Sequence, residues 1–246
     1  MLNVNFSEPY DNYDNTVTKY DIDVLNNFLE KAKITSSSKI LDIGCGTGNY
    51  AIEIKKITNC ETYGLDISEA VISKALEKDK TVNWILCDAL HTPFENNFFD
   101  FIYMTDVIHH ILNIDKLFIE INRILKNKGK ICINTQSHRQ IDLRFNSEFF
   151  PESAILDKMR YPDVEKIILT AQRYGLSFIK EDIIGQDNEI ILDSKYLDSV
   201  EKRQYPMFHL ISDKCYHYGI AEIRTQLLNG PIIRKTSGTT SIWFTK

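Results

Sequence analysis

Through the first 135 residues, short apolar runs of β type alternate with stretches whose apolar residues recur at helical spacing. The runs fall at 39–43, 61–67, 82–88, 98–105 and 130–135, with Ile40, Leu41 and Ile43 in the first. Ahead of them, apolar positions 22, 24, 25, 28, 29 and 32 line one face of a helix over 21–33. Further helices are expected over 50–57, over 69–78 with Ser68 as N-cap, and over 113–127 with Gly129 closing it. Strands alternating with helices at this spacing predict βαβ units and a doubly wound, mostly parallel sheet.

The second half has a different rhythm. Residues 152–174 are helical in pattern with a break at Tyr161-Pro162, and 176–184 reads as a strand ending at Gly185. Residues 193–228 form a long helical stretch rich in aromatics, and 237–245 a last β-type run. With no helix after it, that last strand is expected to pair antiparallel at the edge of the sheet. The expected fold is therefore α/β: a doubly wound, seven-stranded, mostly parallel sheet with an antiparallel C-terminal edge strand. No repeat or linker divides the chain, so residues 1–246 read as one domain. Its core would span about 21–192 and 230–246, with an N-terminal arm, 1–20, and a helical insertion, 193–229, as lid.

Composition narrows the function rather than the fold. A net charge of −5 argues against a broad nucleic-acid or anionic-membrane surface, so neither partner is expected. The five cysteines, 45, 60, 87, 132 and 215, are odd in number and form no C-x-x-C pair, which indicates neither a disulfide framework nor a zinc ribbon. No apolar run approaches the ~18 residues of a membrane span. The N-terminus has no signal-like apolar stretch, and a cytoplasmic setting is expected.

The chemistry concentrates at Gly44, Gly46 and Gly48, three glycines at every second position between the first strand and a helix. This arrangement suits a cofactor cradled on backbone N–H groups. The dinucleotide fingerprint fails, because Asn49 stands where its third glycine belongs, and no G-K-[ST] follows for a phosphate loop. What remains is a cofactor without a pyrophosphate. Asp42, Asp66 and Asp88 all fall at carboxyl ends of expected strands, the edge where open α/β sheets bind ligands.

These residues carry a resemblance. L-D-I-G-C-G-T-G-N-Y (41–50) resembles motif I of class I S-adenosylmethionine-dependent methyltransferases, and G-L-D-I-S (64–68) and C-D-A (87–89) resemble their second- and third-strand motifs. The stretch 93–111, P-F-E-N-N-F-F-D-F-I-Y-M-T-D-V-I-H-H-I, resembles the fourth-strand block of the small-molecule "type 11" branch, and R-I-L-K-N-K-G-K (123–130) completes the set. The resemblance implies a Rossmann-like methyltransferase fold and S-adenosyl-L-methionine as cofactor. It places Asp66 on the ribose hydroxyls with Ile67 beside it, Asp88 and the Ala89 amide on the adenine, and Asp42 near the ammonium. Gly44, Cys45, Gly46 and Gly48 would form the turn, with Thr105 and Tyr20 also in contact with the cofactor.

Methyl transfer from a sulfonium is an in-line displacement that needs positioning and a desolvated pocket rather than covalent catalysis. His109 and His110, after the fourth strand, are the candidates for proton transfer or for a structural role there. Adjacent histidines rarely point at one ion and no third ligand is evident, so no metal is expected. If the aromatic segments act as a lid, Tyr13, Tyr205, His209 and Tyr216, with His110, would face a small, partly apolar acceptor. The alternatives are a non-catalytic S-adenosylmethionine-binding sensor or partner protein, a nicotinamide oxidoreductase, and a nucleic-acid or protein methyltransferase. Against nucleic acid, the fourth strand ends T-D-V-I, not [D/N]-P-P-[Y/F], and no Pro-Cys nucleophile is present.

Overall fold

In the computed structural model, which describes residues 20–246, the first helix is α1 (Ile22–Ala32). Asp21 caps it, its carboxylate accepting the amides of Asp23 (2.9 Å) and Val24 (3.3 Å). Its buried face is Val24, Leu25 and Phe28. Next come β1 (Lys39–Ile43), α2 (Asn49–Thr58), β2 (Glu61–Asp66), α3 (Glu69–Lys78), β3 (Asn83–Leu86), β4 (Phe99–Thr105), α4 (Ile114–Ile124) and β5 (Leu125–Thr135). The chain goes on through α5 (His138–Asp142), α6 (Phe145–Phe149), α7 (Pro151–Arg160), α8 (Val164–Arg173), β6 (Ser177–Ile184) and β7 (Glu189–Leu192). It ends with α9 (Ser194–Glu201), α10 (Asp213–Leu227), β8 (Ile232–Lys235) and β9 (Thr239–Thr245).

Seven strands form one sheet in the order β3-β2-β1-β4-β5-β9-β6. The pairs β1–β2, β1–β4, β2–β3 and β4–β5 are all parallel. Strand order reverses beside β1, which puts the ligand-binding crevice of such sheets at the carboxyl ends of β1, β2 and β4. The last strand runs antiparallel to β5: Lys246 exchanges backbone bonds with Lys128 and Gly129, and Ser241 bonds Asn134. It takes the second place from the edge, and β6 is outermost.

The chain divides into two compact units. The first runs to Thr135 and includes Ile167–Asp182 and Ser241–Lys246; the second is Gln136–Lys166 and Ile183–Thr240. In the first unit, Phe28 packs edge-on to Phe101 (5.8 Å) and beside Tyr103 (4.8 Å), while Trp243 stacks on Phe101 (5.6 Å). Phe118 of α4 meets Phe244 at 6.4 Å. The second unit has its own core, in which Phe149, Phe150, Val200, Phe208, Tyr216 and Ile223 are buried together.

Local departures from the sequence reading have visible causes. Helix α4 ends at Ile124 because Leu125 already pairs with Phe99; the ladder then skips to Lys130 opposite Phe101, and Gly129 lies in the resulting bulge. The Ser68 side chain makes no cap bond, although its amide donates to Asp66 Oδ1 (3.0 Å). The stretch 193–228 is two α-helices around a short 3₁₀ turn, Pro206–His209, and the hairpin-like pair β7–β8 was not foreseen. Apart from Tyr20, the arm 1–20 lies outside the described residues.

Candidate active site

Strand β1 delivers the chain into the glycine turn at the carboxyl edge of the sheet. Gly44 and Gly48 hold φ of 70° and 84° and leave no room for a side chain. A Cβ at Gly44 would lie 2.4 Å from Val107 Cγ2, and one at Gly48 would lie 2.3 Å from Trp84 Cη2. Gly46 (φ 52°) faces open space, with nothing within 4 Å of a Cβ. The amides of Gly44 and Cys45 both donate to the Leu65 carbonyl, at 2.8 and 2.9 Å. That of Gly46 donates to Asp66 Oδ2 (3.0 Å), and that of Gly48 to the Cys45 carbonyl (2.9 Å). The expectation that these amides cradle a ligand gives way: they fasten the turn to β2 and to itself.

Asp66, at the end of β2, accepts Gly46 and Ser68 on separate carboxylate oxygens, each keeping a lone pair for a further donor. The Cys87 amide donates to the Asp66 carbonyl (3.0 Å), which ties the exit of β3 to that of β2. Asp88 follows, exposed, accepting the Leu90 amide at 2.9 Å, with Ala89 half-buried beside it. Ile67 projects 74% exposed next to Asp66, an apolar surface among acids.

Asp42 is only 3% exposed. Burial pushes its carboxyl from the ordinary 3.8 up to about 8; the Tyr103 phenol pulls back against this rise, and the Asp66 carboxylate adds to it. Tyr103 stands directly opposite Asp42 in the β1–β4 ladder, yet its buried hydroxyl has no hydrogen-bond partner of normal length. The Cys45 thiol is also pushed up, by burial first and then by Asp42 and Asp66, so it is no nucleophile at neutral pH.

Beyond β4, the Asn134 side-chain amide donates to Thr105 Oγ1 at 3.3 Å, and the Asp106 amide to the Asn134 carbonyl at 3.1 Å. The 3₁₀ turn Ile108–His110 is anchored by buried Ile108. Val107 packs on Gly44 and so carries this turn to the glycine turn. There His109 is half-buried and His110 exposed, their rings 4.0 Å apart. Tyr20 arrives from the other side: its ring is 6.2 Å from that of Tyr50, whose hydroxyl accepts the Asp21 amide at 2.9 Å. The first unit thus gathers Tyr20, Asp42, Asp66, Asp88, Thr105 and the two histidines around one turn.

Tyr205, His209 and Tyr216 belong to the second unit, and Tyr13 lies outside the described residues. Tyr205 is half-buried, edge-on to Phe208 at 5.6 Å. His209 Nε2 is 3.0 Å from the Arg203 carbonyl. Buried Tyr216 donates to the Val200 carbonyl at 2.8 Å, with the Arg203 guanidinium 4.0 Å above its ring.

Three contributors had no sequence signal. Trp84 presses on Gly48 and on Gly64, and its indole N–H is anchored on the Asp79 carbonyl at 2.7 Å. Lys78 reaches from α3 to Thr47 Oγ1 (2.8 Å) and Asn49 Oδ1 (3.2 Å), pinning the far side of the turn. Tyr103 could have been found only from the strand register that sets it opposite Asp42. Together the open side of Gly46, the orphaned Tyr103 hydroxyl and the spare lone pairs of Asp66 fit a ligand rich in hydroxyl and cationic groups.

Comparison with known proteins agrees with this geometry. The family described as "Methyltransferase domain" matches residues 41–133, which hold the turn, all three acids and the histidine turn. Over 102 residues the chain is 35% identical to sterol 24-C-methyltransferase of Schizosaccharomyces pombe, covering 39% of this chain and 27% of that protein. The chain spans about a quarter of the length of that protein and less than two thirds of the other curated relatives, from 23% to 58%. A structure assigned as a methyltransferase of an antibiotic biosynthesis pathway in Anabaena variabilis superposes with TM-score 0.74 at 19% identity, over 92% of this chain and 98% of that one. Phosphoethanolamine N-methyltransferase 2 of Haemonchus contortus, in complex with S-adenosyl-L-methionine, superposes with TM-score 0.57 at 23% identity, over 91% and 52%. At these identities the two structures establish the fold.

Proposed function

We propose that the chain is an S-adenosylmethionine-dependent methyltransferase of class I, acting on a small-molecule acceptor by in-line displacement. The observation that carries this reading is the trio Asp42, Asp66 and Asp88 beside a glycine turn whose own amides are already spent. A pyrophosphate would find three carboxylates and few free amides there; a ligand with an ammonium, a sulfonium and a diol finds acceptors. When bound, the cofactor supplies an electrophilic methyl group on a sulfonium.

This chain's residues would then act as follows. Asp66 accepts the ribose hydroxyls, and Asp88 with the Ala89 amide holds the adenine edge while Ile67 covers its face. Asp42 takes the ammonium, which restores the charge that burial suppresses. Gly44, Cys45, Gly46 and Gly48 shape the floor, and Thr105 and Tyr20 close the pocket. Exposed His110 is the group to receive a proton from the acceptor, with His109 packed against its ring. On the acceptor side, Tyr205 and His209 are stronger candidates than Tyr216, whose hydroxyl is already bonded, and Tyr13 stands with them.

Calorimetry with S-adenosylhomocysteine tests the cofactor, and its release from S-adenosylmethionine over a panel of amine, hydroxyl and carbon acceptors tests the reaction. Tight binding without release over the panel would favour the non-catalytic binder. Absence of binding would overturn the cofactor assignment.

A further inference from the structure

A second charged recess lies away from the glycine turn. A cavity of about 270 Å³ opens where the end of α1 meets β5, β6 and β9, with all its lining residues in the first unit. Lys31, Lys33, Lys130 and Lys180 line it, and Ile179 and Trp243 supply its apolar wall. Glu30 is the one acid among the lining residues, and it is exposed. Four ammonium groups around one small recess stand out on a chain of net charge −5.

Two of the four are matched inside the fold: Asp182 takes Lys31 at 2.6 Å and Lys180 at 3.1 Å. The other two are not, since neither Lys33 nor Lys130 forms an ion pair among the described residues. Half-buried Lys130 donates to the Lys31 carbonyl at 2.5 Å, which fixes its ammonium at the end of α1 and leaves it two N–H donors. Lys33 is the C-cap of α1, in the left-handed region at φ 55°. Burial, and then the Lys33 charge, pull the Lys130 ammonium below its ordinary pKa of 10.5. The two cations repel each other, and an anion between them would remove that repulsion.

We propose that this cavity binds a small phosphate monoester, its phosphate on Lys33 and Lys130 and its carbon group on Ile179 and Trp243. Two unmatched ammonium groups suit the nearly two negative charges that such an ester carries at neutral pH. No arginine lines the cavity, so the planar two-point grip that suits a carboxylate is missing, while lysines hold phosphate as point charges. The volume falls below the ~300 Å³ at which drug-sized pockets begin, which limits the guest to a phosphate with a small carbon group. The place is distinct from the cofactor site: Lys130 stands five residues before the end of β5 at Thr135, roughly 17 Å from the carboxyl edge.

Calorimetry on the full chain with phenyl phosphate as probe tests this, with and without saturating S-adenosylhomocysteine. One binding event is expected, with the same affinity in both conditions. Lys33→Gln and Lys130→Gln should each weaken it about tenfold, the scale of one hydrogen bond between charged groups. Lys56→Gln, outside the cavity, should leave it unchanged. Lys33 is exposed, so its variant keeps the test open if Lys130→Gln misfolds. Benzenesulfonate, the same ring with a single charge, should bind more weakly, and so should inorganic phosphate, which lacks the ring. Vesicles of phosphatidylcholine with phosphatidic acid separate a membrane phosphate from a soluble one. Retention on those vesicles without affinity for phenyl phosphate would overturn the proposal. So would displacement by S-adenosylhomocysteine, indifference to both lysine variants, or equal affinity for benzenesulfonate or inorganic phosphate.

Discussion

The two ends of the central strands treat their acids in opposite ways. Toward the amino end three acids are each paired with a cation: Asp100 meets Lys126 at 2.8 Å, Glu61 meets Lys39 at 3.5 Å, and Glu120 meets Arg123 at 2.7 Å. Arg123 also donates to the Phe94 and Thr92 carbonyls, at 2.7 and 3.2 Å, so one guanidinium knits a loop to a helix. At the carboxyl end, Asp42, Asp66 and Asp88 form no ion pair among the described residues; Asp66 and Asp88 accept backbone amides. The first arrangement closes its electrostatics within the fold. The second leaves negative charge to be matched by something from outside, and the difference separates a structural cluster from a ligand site.

The sharpest way to break that contrast is to mutate one acid at each end. Asp66→Asn is expected to weaken S-adenosylhomocysteine binding by about 10- to 100-fold, the scale of one hydrogen bond to a charged group. Asp100→Asn should leave that affinity unchanged, with calorimetry reading both. Equal losses at the two ends would dissolve the distinction. Arg123→Ala should do the reverse, costing about 2 kcal/mol because partly buried Glu120 loses its cation. Thermal unfolding measures that cost, and ligand affinity of the folded fraction should hold.

Asp42 gives a prediction in pH. An acid raised from 3.8 to about 8 in the folded state stabilises the fold below the lower value and loses that contribution as pH rises through the upper one. Stability of the unliganded protein should therefore decline across this window, and Asp42→Asn should flatten the decline. At pH 7 the group is largely protonated, so binding an ammonium beside it expels a proton. Binding enthalpies in buffers of different ionisation heat should then differ for the wild type and converge for Asp42→Asn; identical enthalpies would sink the assignment. The smallest expected effect concerns the 193–229 segment. If it acts as a lid, S-adenosylhomocysteine slows its amide exchange modestly, and unchanged exchange there would count against that role.

Much of the first unit was legible because its signals are local. Gly44, Gly46 and Gly48, and the acids closing successive strands, sit within a few residues of the elements that position them. The β7–β8 pair was not legible: Ile190–Leu192 and Ile232–Ile233 are short and some forty residues apart, so nothing in either announces the other. Ser68 misled because its amide, rather than its hydroxyl, serves the turn after β2. The early stop of α4 depends on Leu125 finding Phe99, a tertiary contact that overrides helical periodicity. Tyr103 reads as one more apolar strand residue until the register sets it against Asp42.

Trp84 has one more consequence, an optical one. The chain has two tryptophans. Trp243 is 2% exposed within the sheet core, shielded from events at the carboxyl edge, while Trp84 is half-buried against Gly48 and Gly64. A change in the turn's packing or wetting would alter the surroundings of one indole and leave the other as an internal standard. The native emission spectrum is therefore a label-free gauge of the glycine turn, and replacing Trp243 with phenylalanine would leave a single-fluorophore reporter.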